Sequence, residues 1–211
     1  TEATRRLCAI MLRDSAHIQE SEAQWRNRKA QRSGEESYVP MYTVADAEQA
    51  LLQFRGCSYN QTLELFDGVQ LTFTDAGHLL GSASLHFTLT EGDVTRSILF
   101  SGDLGNHTRP LIRDPQSPPQ ADWVVLESTY GDRTHGPRID YVTQLAAVIQ
   151  DTLDRGGNLV IPAFAVGRTQ EMLYLIRTIK EQGLIRGHED FPVYVDSPMA
   201  VEATRIYSDD E

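Results

Sequence analysis

The sequence reads Asp75-Ala76-Gly77-His78, then Ser101-Gly102-Asp103, then Glu127-Ser128-Thr129-Tyr130-Gly131, each directly after a segment with the pattern of a β-strand. Each stretch therefore places a histidine or a carboxylate at the end of a strand, where a side chain is held rigidly enough to bind a metal. The order of histidine, aspartate and glutamate, about 25 residues apart, indicates a hydrolytic metal site. The site is predicted to be incomplete, because a catalytic zinc usually takes three protein ligands and a water molecule.

The three polar residues have different expected roles. His78 lies near two glycines that allow close backbone approach to a ligand, although a loop histidine alone is more often structural. Asp103 could bridge two metal ions about 3.5–4 Å apart, or it could be a turn-forming aspartate bonded to nearby N–H groups. Glu127 ends a strand too apolar to accept an unpartnered charge, so we expect a hydrogen-bonding partner or a role in orienting a histidine.

Two later turns indicate anion binding. Residues 162–171 run from a predicted strand through a glycine turn into a helix, where Arg168 and the first N–H groups could receive a phosphate. Asp196-Ser197-Pro198 is a second turn of this kind, with Ser197 before a proline at the first helical position. Plain helix capping is the alternative for both turns. His135 and His107 follow the metal-type motifs closely enough to be candidates for substrate contact.

The hydrophobic pattern predicts an α/β fold. Polar and apolar residues alternate in two antiparallel pairs around Asp67-Gly68 and Glu91-Gly92-Asp93, and residues 123–126 form a short apolar strand that we expect to be covered on both faces. Helices and strands then alternate, which is typical of a parallel sheet. The predicted helices are 3–13, 14–29, 45–54, 139–155, 169–182 and one from Pro198. Thr43 and Asp46 predict a capping box that opens the helix over 45–54. The later predicted strands are 158–162 and 193–195.

The composition fits a globular protein in a reducing compartment. Hydrophobic residues make up 40% of the 211 residues and charged residues 23%, and no apolar run approaches the roughly 18 residues of a membrane helix. Two cysteines outside any metal-binding pattern exclude a thiolate zinc site and favour a cytoplasmic location. A net charge of −11 argues against a general nucleic-acid coat protein, but not against an enzyme with local positive charge.

The motifs together resemble the β-CASP family of the metallo-β-lactamase fold, which contains RNA-processing nucleases. The resemblance rests on DAGHLLGSA (75–83), FSGDLG (100–105), ESTYGDR (127–133), PAFAVGRTQE (162–171) and VDSPMA (195–200), all in family order. It implies a partial metallo-β-lactamase αββα sandwich in residues 1–134, followed by part of a β-CASP α/β domain with a parallel sheet in 135–211.

The resemblance also implies an activity. The chain would belong to a zinc-dependent ribonuclease, with His78 as a zinc ligand, Asp103 as a bridging ligand between two ions and Glu127 as the acidic residue that supports a catalytic histidine. Arg168, Ser197 and His135 would contact the phosphates of single-stranded RNA, and a homodimer is expected. Histidine and aspartate ligands alone would also accept manganese.

The sequence departs from the family in lacking its HxHxDH signature and its later β-CASP histidines. Because the chain begins directly in helix-like sequence without a methionine, we expect these residues to be an internal piece of a longer polypeptide, inactive alone. Two other functions stay open: a DNA nuclease of the Artemis-like branch, and a non-catalytic scaffold of an RNA-processing complex. Endonuclease and exonuclease action are not distinguished.

Overall fold

The structure, a computed structural model, describes residues 1–33, 37–134, 136 and 139–209. Contacts divide the chain into two compact units, Thr1–Ser58 and Tyr59–Glu211. The domain boundary expected at residues 134/135 stays a prediction, because these contact-based units do not test it.

The first unit consists of two helices, α1 (Glu2–Ser33) and α2 (Val44–Leu51). The expected helix break at Asp14 is wrong, because α1 is continuous and contains neither glycine nor proline to interrupt its hydrogen bonds. The capping box that opens α2 is confirmed: the Thr43 side chain accepts from the Asp46 backbone N–H, and the Asp46 side chain accepts from the Thr43 N–H.

The second unit begins with a five-stranded sheet in which sequence order and spatial order agree. The first four strands are antiparallel, and the fifth pairs parallel with the fourth. Gly68 adopts φ +73° in the first hairpin turn, which confirms the turn expected from Asp67-Gly68. The strands are β1 (Thr62–Phe66), β2 (Val69–Asp75), β3 (Ala83–Glu91), β4 (Val94–Phe100) and β5 (Trp123–Val125).

Strand β5 differs from its prediction. Trp123, Val124 and Val125 are each more than half exposed, whereas their continuous apolar pattern predicted cover on both faces. The reason is position, because β5 is the edge strand of the sheet and pairs with β4 alone. The Asp122 carboxylate fixes its start by accepting from the backbone N–H of Ser97, at 2.7 Å.

Three helices follow, α3 (Tyr141–Asp154), α4 (Arg168–Glu181) and α5 (Pro198–Asp209). Helices α3 and α4 pack on each other through a small apolar core: Ala146, Ile149, Ile176, Ile179 and Ile185. Their positions confirm the helical pattern expected for this part of the sequence. In the ranges that the structure describes, no helix is both long and apolar enough to cross a membrane.

The parallel sheet expected in residues 135–211 is not formed within the described part of that range. Segments 158–162 and 193–195 are not strands, and Val160 and Tyr194 are 82% and 85% exposed. An extended segment becomes a strand only through a hydrogen-bonded neighbour, and neither segment has one here. Together they line an open groove of about 690 Å³ beside α4. The fold is therefore mixed α/β, and the one parallel pair among the described residues is β4 with β5.

Candidate metal centre

The loop after β2 carries His78 and is shaped by its own hydrogen bonds. The Asp75 carboxylate accepts from the Gly77 N–H at 2.8 Å, and Gly77 adopts φ +61°. The Ser82 hydroxyl oxygen accepts from the N–H groups of His78 at 3.0 Å and Leu79 at 3.2 Å. These bonds satisfy backbone groups that no sheet partner reaches, so the backbone at His78 is held in one conformation.

The loop after β4 packs tightly against this first loop. The Gly105 N–H donates to the Ala76 carbonyl at 2.8 Å, and a Cβ atom on Gly105 would lie only 1.6 Å from the Gly77 carbonyl oxygen. Glycine is thus the one residue that permits this approach. The approach places the Asp103 Oδ2 atom 3.9 Å from the His78 Nε2 atom.

Glu127 joins the same cluster from the end of β5. Its Oε2 atom accepts from the Thr129 N–H at 3.1 Å and its Oε1 atom from the Leu104 N–H at 3.3 Å. The hydrogen bonds from Thr129, then that from Leu104, and the nearby His78 charge hold the pKa of the Glu127 carboxyl below its ordinary value. The expected hydrogen-bonding partners are therefore present, and Glu127 ties its loop to the one that carries Asp103.

The donor set fits part of a metal centre. An imidazole nitrogen and a carboxylate oxygen are both ligands that zinc accepts, and Asp103, with its side chain 76% exposed, is accessible to an ion. In residues 1–33, 37–134, 136 and 139–209, no group of three or more His, Cys, Asp or Glu side chains is placed to hold a metal. His78 and Asp103 would thus supply two donors to a metal centre, and a complete centre would need further ligands.

The predicted anion-binding residues lie at two helix starts. Arg168 is the first residue of α4, and its side chain is 60% exposed. The Ser197 hydroxyl oxygen accepts from the Ala200 N–H at 3.2 Å, as expected of an N-cap. His135 lies outside the described residues. His107 contacts Asp114 at 3.4 Å, so the structure gives it an intramolecular partner.

Comparison with known proteins identifies the family to which the sequence belongs. The family described as "Beta-Casp domain" matches residues 169–211. The chain is 40% identical over 170 residues to Ribonuclease TTHA0252 of Thermus thermophilus and 34% identical over 179 residues to Endoribonuclease YSH1 of Yarrowia lipolytica. It is also 31% identical over 211 residues to the Transcription termination factor FttA of Pyrococcus abyssi. The chain belongs to the β-CASP family.

The match covers most of this β-CASP chain but a minor part of each relative. The three alignments include 80%, 83% and 99% of the chain, and 37%, 20% and 29% of the respective relative. The chain therefore spans between about a fifth and two fifths of the length of these relatives.

Two residues of this β-CASP chain that sequence reasoning did not single out lie beside the His78 loop. Arg109 donates from Nε to the Glu171 Oε1 atom at 3.0 Å and from Nη1 to the His78 carbonyl at 3.3 Å. Glu171 belongs to the quoted PAFAVGRTQE motif, which marked it as part of the family pattern. Arg109 carries no such signal, because its partner is 62 residues away.

Proposed function

We propose that this chain carries part of the active site of a zinc-dependent ribonuclease. The main support is that His78, Asp103 and Glu127 come from three separate strand ends into one cluster. The His78 Nε2 and Asp103 Oδ2 atoms lie 3.9 Å apart. The ribonuclease and endoribonuclease named among the relatives support RNA as the substrate class. Residues 1–134 would then belong to a metallo-β-lactamase sandwich and residues 135–211 to a β-CASP domain.

His78 and Asp103 would hold zinc, with Asp103 in the bridging position of a two-ion centre. Bound zinc supplies an activated hydroxide and stabilises negative charge that develops on phosphate. Glu127 stays ionised and, through the Leu104 N–H, fixes the loop on which Asp103 lies. This arrangement keeps an exposed carboxylate directed at the site without large movement during the reaction.

Substrate phosphates would bind to Arg168 and Ser197. Arg168 presents an exposed guanidinium at the N-terminus of α4, where the helix dipole also favours an anion. Ser197 accepts a hydrogen bond as the cap of α5, and its hydroxyl can still donate to a phosphate oxygen. His135 completes the set of proposed RNA contacts. The Arg168 guanidinium and the N-terminus of α4 would supply local positive charge for phosphate in a chain with a net charge of −11.

The test uses the full-length protein with end-labelled single-stranded RNA and matching DNA, with and without a chelator. Chelator-sensitive cleavage that prefers RNA supports the proposal, and the product ladder separates endonuclease from exonuclease action. Faster cleavage of DNA than of RNA would reject the ribonuclease proposal in favour of a DNA nuclease. Protein that binds no metal and cleaves neither strand would overturn it in favour of a scaffold. Light scattering of the same sample tests the homodimer.

A further inference from the structure

A buried carboxylate lies in the first turn of α4, outside the set of proposed ligands. The Glu171 side chain is 9% exposed. Its Oε1 atom accepts from both Nε and Nη2 of Arg109. Its Oε2 atom is buried without a hydrogen bond and lies 3.0 Å from Nη1 of Arg168. A buried charge is costly unless it is paired, so Glu171 depends on both arginines.

Arg109 connects this carboxylate to the backbone of the candidate metal ligand. The Nε and Nη2 edge of its guanidinium donates to Glu171, while Nη1 donates to the His78 carbonyl oxygen at 3.3 Å. Arginine suits this role because its donors have a fixed planar arrangement that can satisfy two acceptors at once. Since the backbone at His78 sets the direction of the imidazole, a bridge anchored on α4 constrains that direction.

Two further contacts hold the same loop against the helices. The Leu80 N–H donates to the Tyr207 hydroxyl of α5 at 3.4 Å. Gly167, the residue before α4, packs so close that a Cβ atom there would lie 2.5 Å from Cδ2 of Leu79. The loop is therefore held at three successive residues: His78 through Arg109, Leu79 against the residue before α4, and Leu80 against α5.

Stability alone is a weak explanation for the buried pair. A buried ion pair often contributes little net stability relative to apolar residues of similar size. The pair instead fixes an orientation, because through Arg109 it joins the Glu171 carboxylate of α4 to the carbonyl of His78.

We propose that Glu171, acting through Arg109, is a positioning residue for His78, so that helix α4 sets the geometry of the candidate metal ligand. The inference rests on the proposed function, since it takes His78 as a metal ligand. It assigns to Glu171 no contact with substrate or metal.

The test measures zinc affinity of the full-length protein by competition with a chromophoric chelator. Glu171→Gln keeps the shape of the side chain and removes its charge, and we expect a loss of zinc affinity of about 10- to 100-fold, as for groups that orient a ligand. The matched control is Glu181→Gln at the other end of α4, where an exposed pair with Arg177 is lost and zinc affinity should not change.

A second variant separates positioning from folding. Arg109→Lys keeps a positive charge beside Glu171 but cannot reach both acceptors with a planar fork. We expect a thermal midpoint close to wild type, a weakened zinc affinity and an altered visible spectrum of the Co²⁺-loaded protein. Wild-type zinc affinity and an unchanged Co²⁺ spectrum in Arg109→Lys would overturn the inference, whatever Glu171→Gln does to folding.

Failure of the proposed function would look different. If His78→Ala and the parent protein bind zinc equally, or if the parent binds none, then His78 is not a ligand and the proposed function itself is wrong. If His78→Ala loses zinc while Glu171→Gln and Arg109→Lys keep it, the proposed function stands and only the positioning role is rejected.

Discussion

The loops after β2 and β4 and the segments at 158–167 and 193–197 have similar sequence patterns but different structures. All four run from apolar residues into a turn with polar side chains. The first two are closed by hydrogen bonds and bring His78 and Asp103 together. The second two lead into well-formed helices, yet Val160, Phe164 and Tyr194 are exposed, and within the described residues neither segment is part of a sheet.

The difference follows from where each strand finds its neighbour. An antiparallel hairpin obtains its partner from the adjacent sequence, within a turn of a few residues. A parallel strand needs a partner that lies a whole crossover away. The two kinds of segment therefore differ in how far along the chain their stabilising partner lies, while their local residue patterns remain alike.

The largest effect is expected from removing the Asp103 carboxylate in the loop after β4. Asp103→Ala in the full-length protein should lower RNA cleavage by more than about a hundredfold, because loss of groups that merely orient a ligand already costs 10- to 100-fold. Asp93→Ala, in the turn between β3 and β4, is the control and should cleave normally. Wild-type cleavage by Asp103→Ala would show that this loop carries no ligand.

Two side-chain truncations, one at a buried and one at an exposed residue, compare burial in the two regions. Leu99→Ala in β4, where the side chain is 7% exposed, should lower the free energy of unfolding by about 2–5 kcal/mol. Val160→Ala, at 82% exposure, should change it by less than about 0.5 kcal/mol. Urea unfolding of the 211-residue chain measures both. Equal losses would mean that segment 158–162 is buried in solution, which would break the comparison.

Adding one carbon atom at Gly105 tests the close approach of the loops after β2 and β4. Gly105→Ala would place a Cβ atom against the Gly77 carbonyl, and we expect a loss of about 1–3 kcal/mol from overpacking. Gly136→Ala, where a Cβ atom would meet no atom of the described residues within 4 Å, is the matched control. Thermal unfolding measures the difference, and a fully stable Gly105→Ala would show that the loops do not pack as described.

The smallest effect concerns the anchor of β5. Hydrogen bonds from the Ser97 backbone N–H, and then from its hydroxyl, lower the pKa of Asp122. A lowered pKa in the folded state contributes stability above the ordinary value of about 3.9, and this contribution is lost as the pH falls through the folded pKa. The urea midpoints of wild type and Asp122→Asn should therefore differ at neutral pH and converge in acid.

A second substitution checks that prediction from the donor side. Ser97→Ala removes the hydroxyl donor and keeps the backbone donor, so the pH-dependent difference should shrink without vanishing. A difference that does not vary with pH would mean that the Asp122 charge has no part in fixing β5.

Local sequence predicted the elements whose partners are close by. The hairpin turn at Asp67-Gly68 and the capping box of Thr43 and Asp46 depend on a few adjacent residues, and both are confirmed. The helix break at Asp14 was wrong, since a capping residue type does not end a helix that nothing interrupts. The exposure of β5 could not be read from its apolar residues, because exposure depends on what covers the edge of the sheet.

The candidate site divides in the same way. His78, Asp103 and Glu127 could be predicted as candidate site residues because each follows a strand with a recognisable pattern. The bridge from Arg109 to Glu171 could not be predicted, because it joins residues 62 positions apart and nothing in the sequence near Arg109 indicates its partner. Polar partners of this kind become visible only when the chain is folded.

The hydrogen bond from the Leu80 N–H to the Tyr207 hydroxyl can form only after both residues have been synthesised. Its two residues are 127 positions apart, and a ribosome adding about 5–20 residues per second needs roughly 6 to 25 s to make the intervening chain. During that interval the His78 loop has emerged without its contact to α5. A nascent chain thus acquires its candidate ligand early and the α5 support for its loop later.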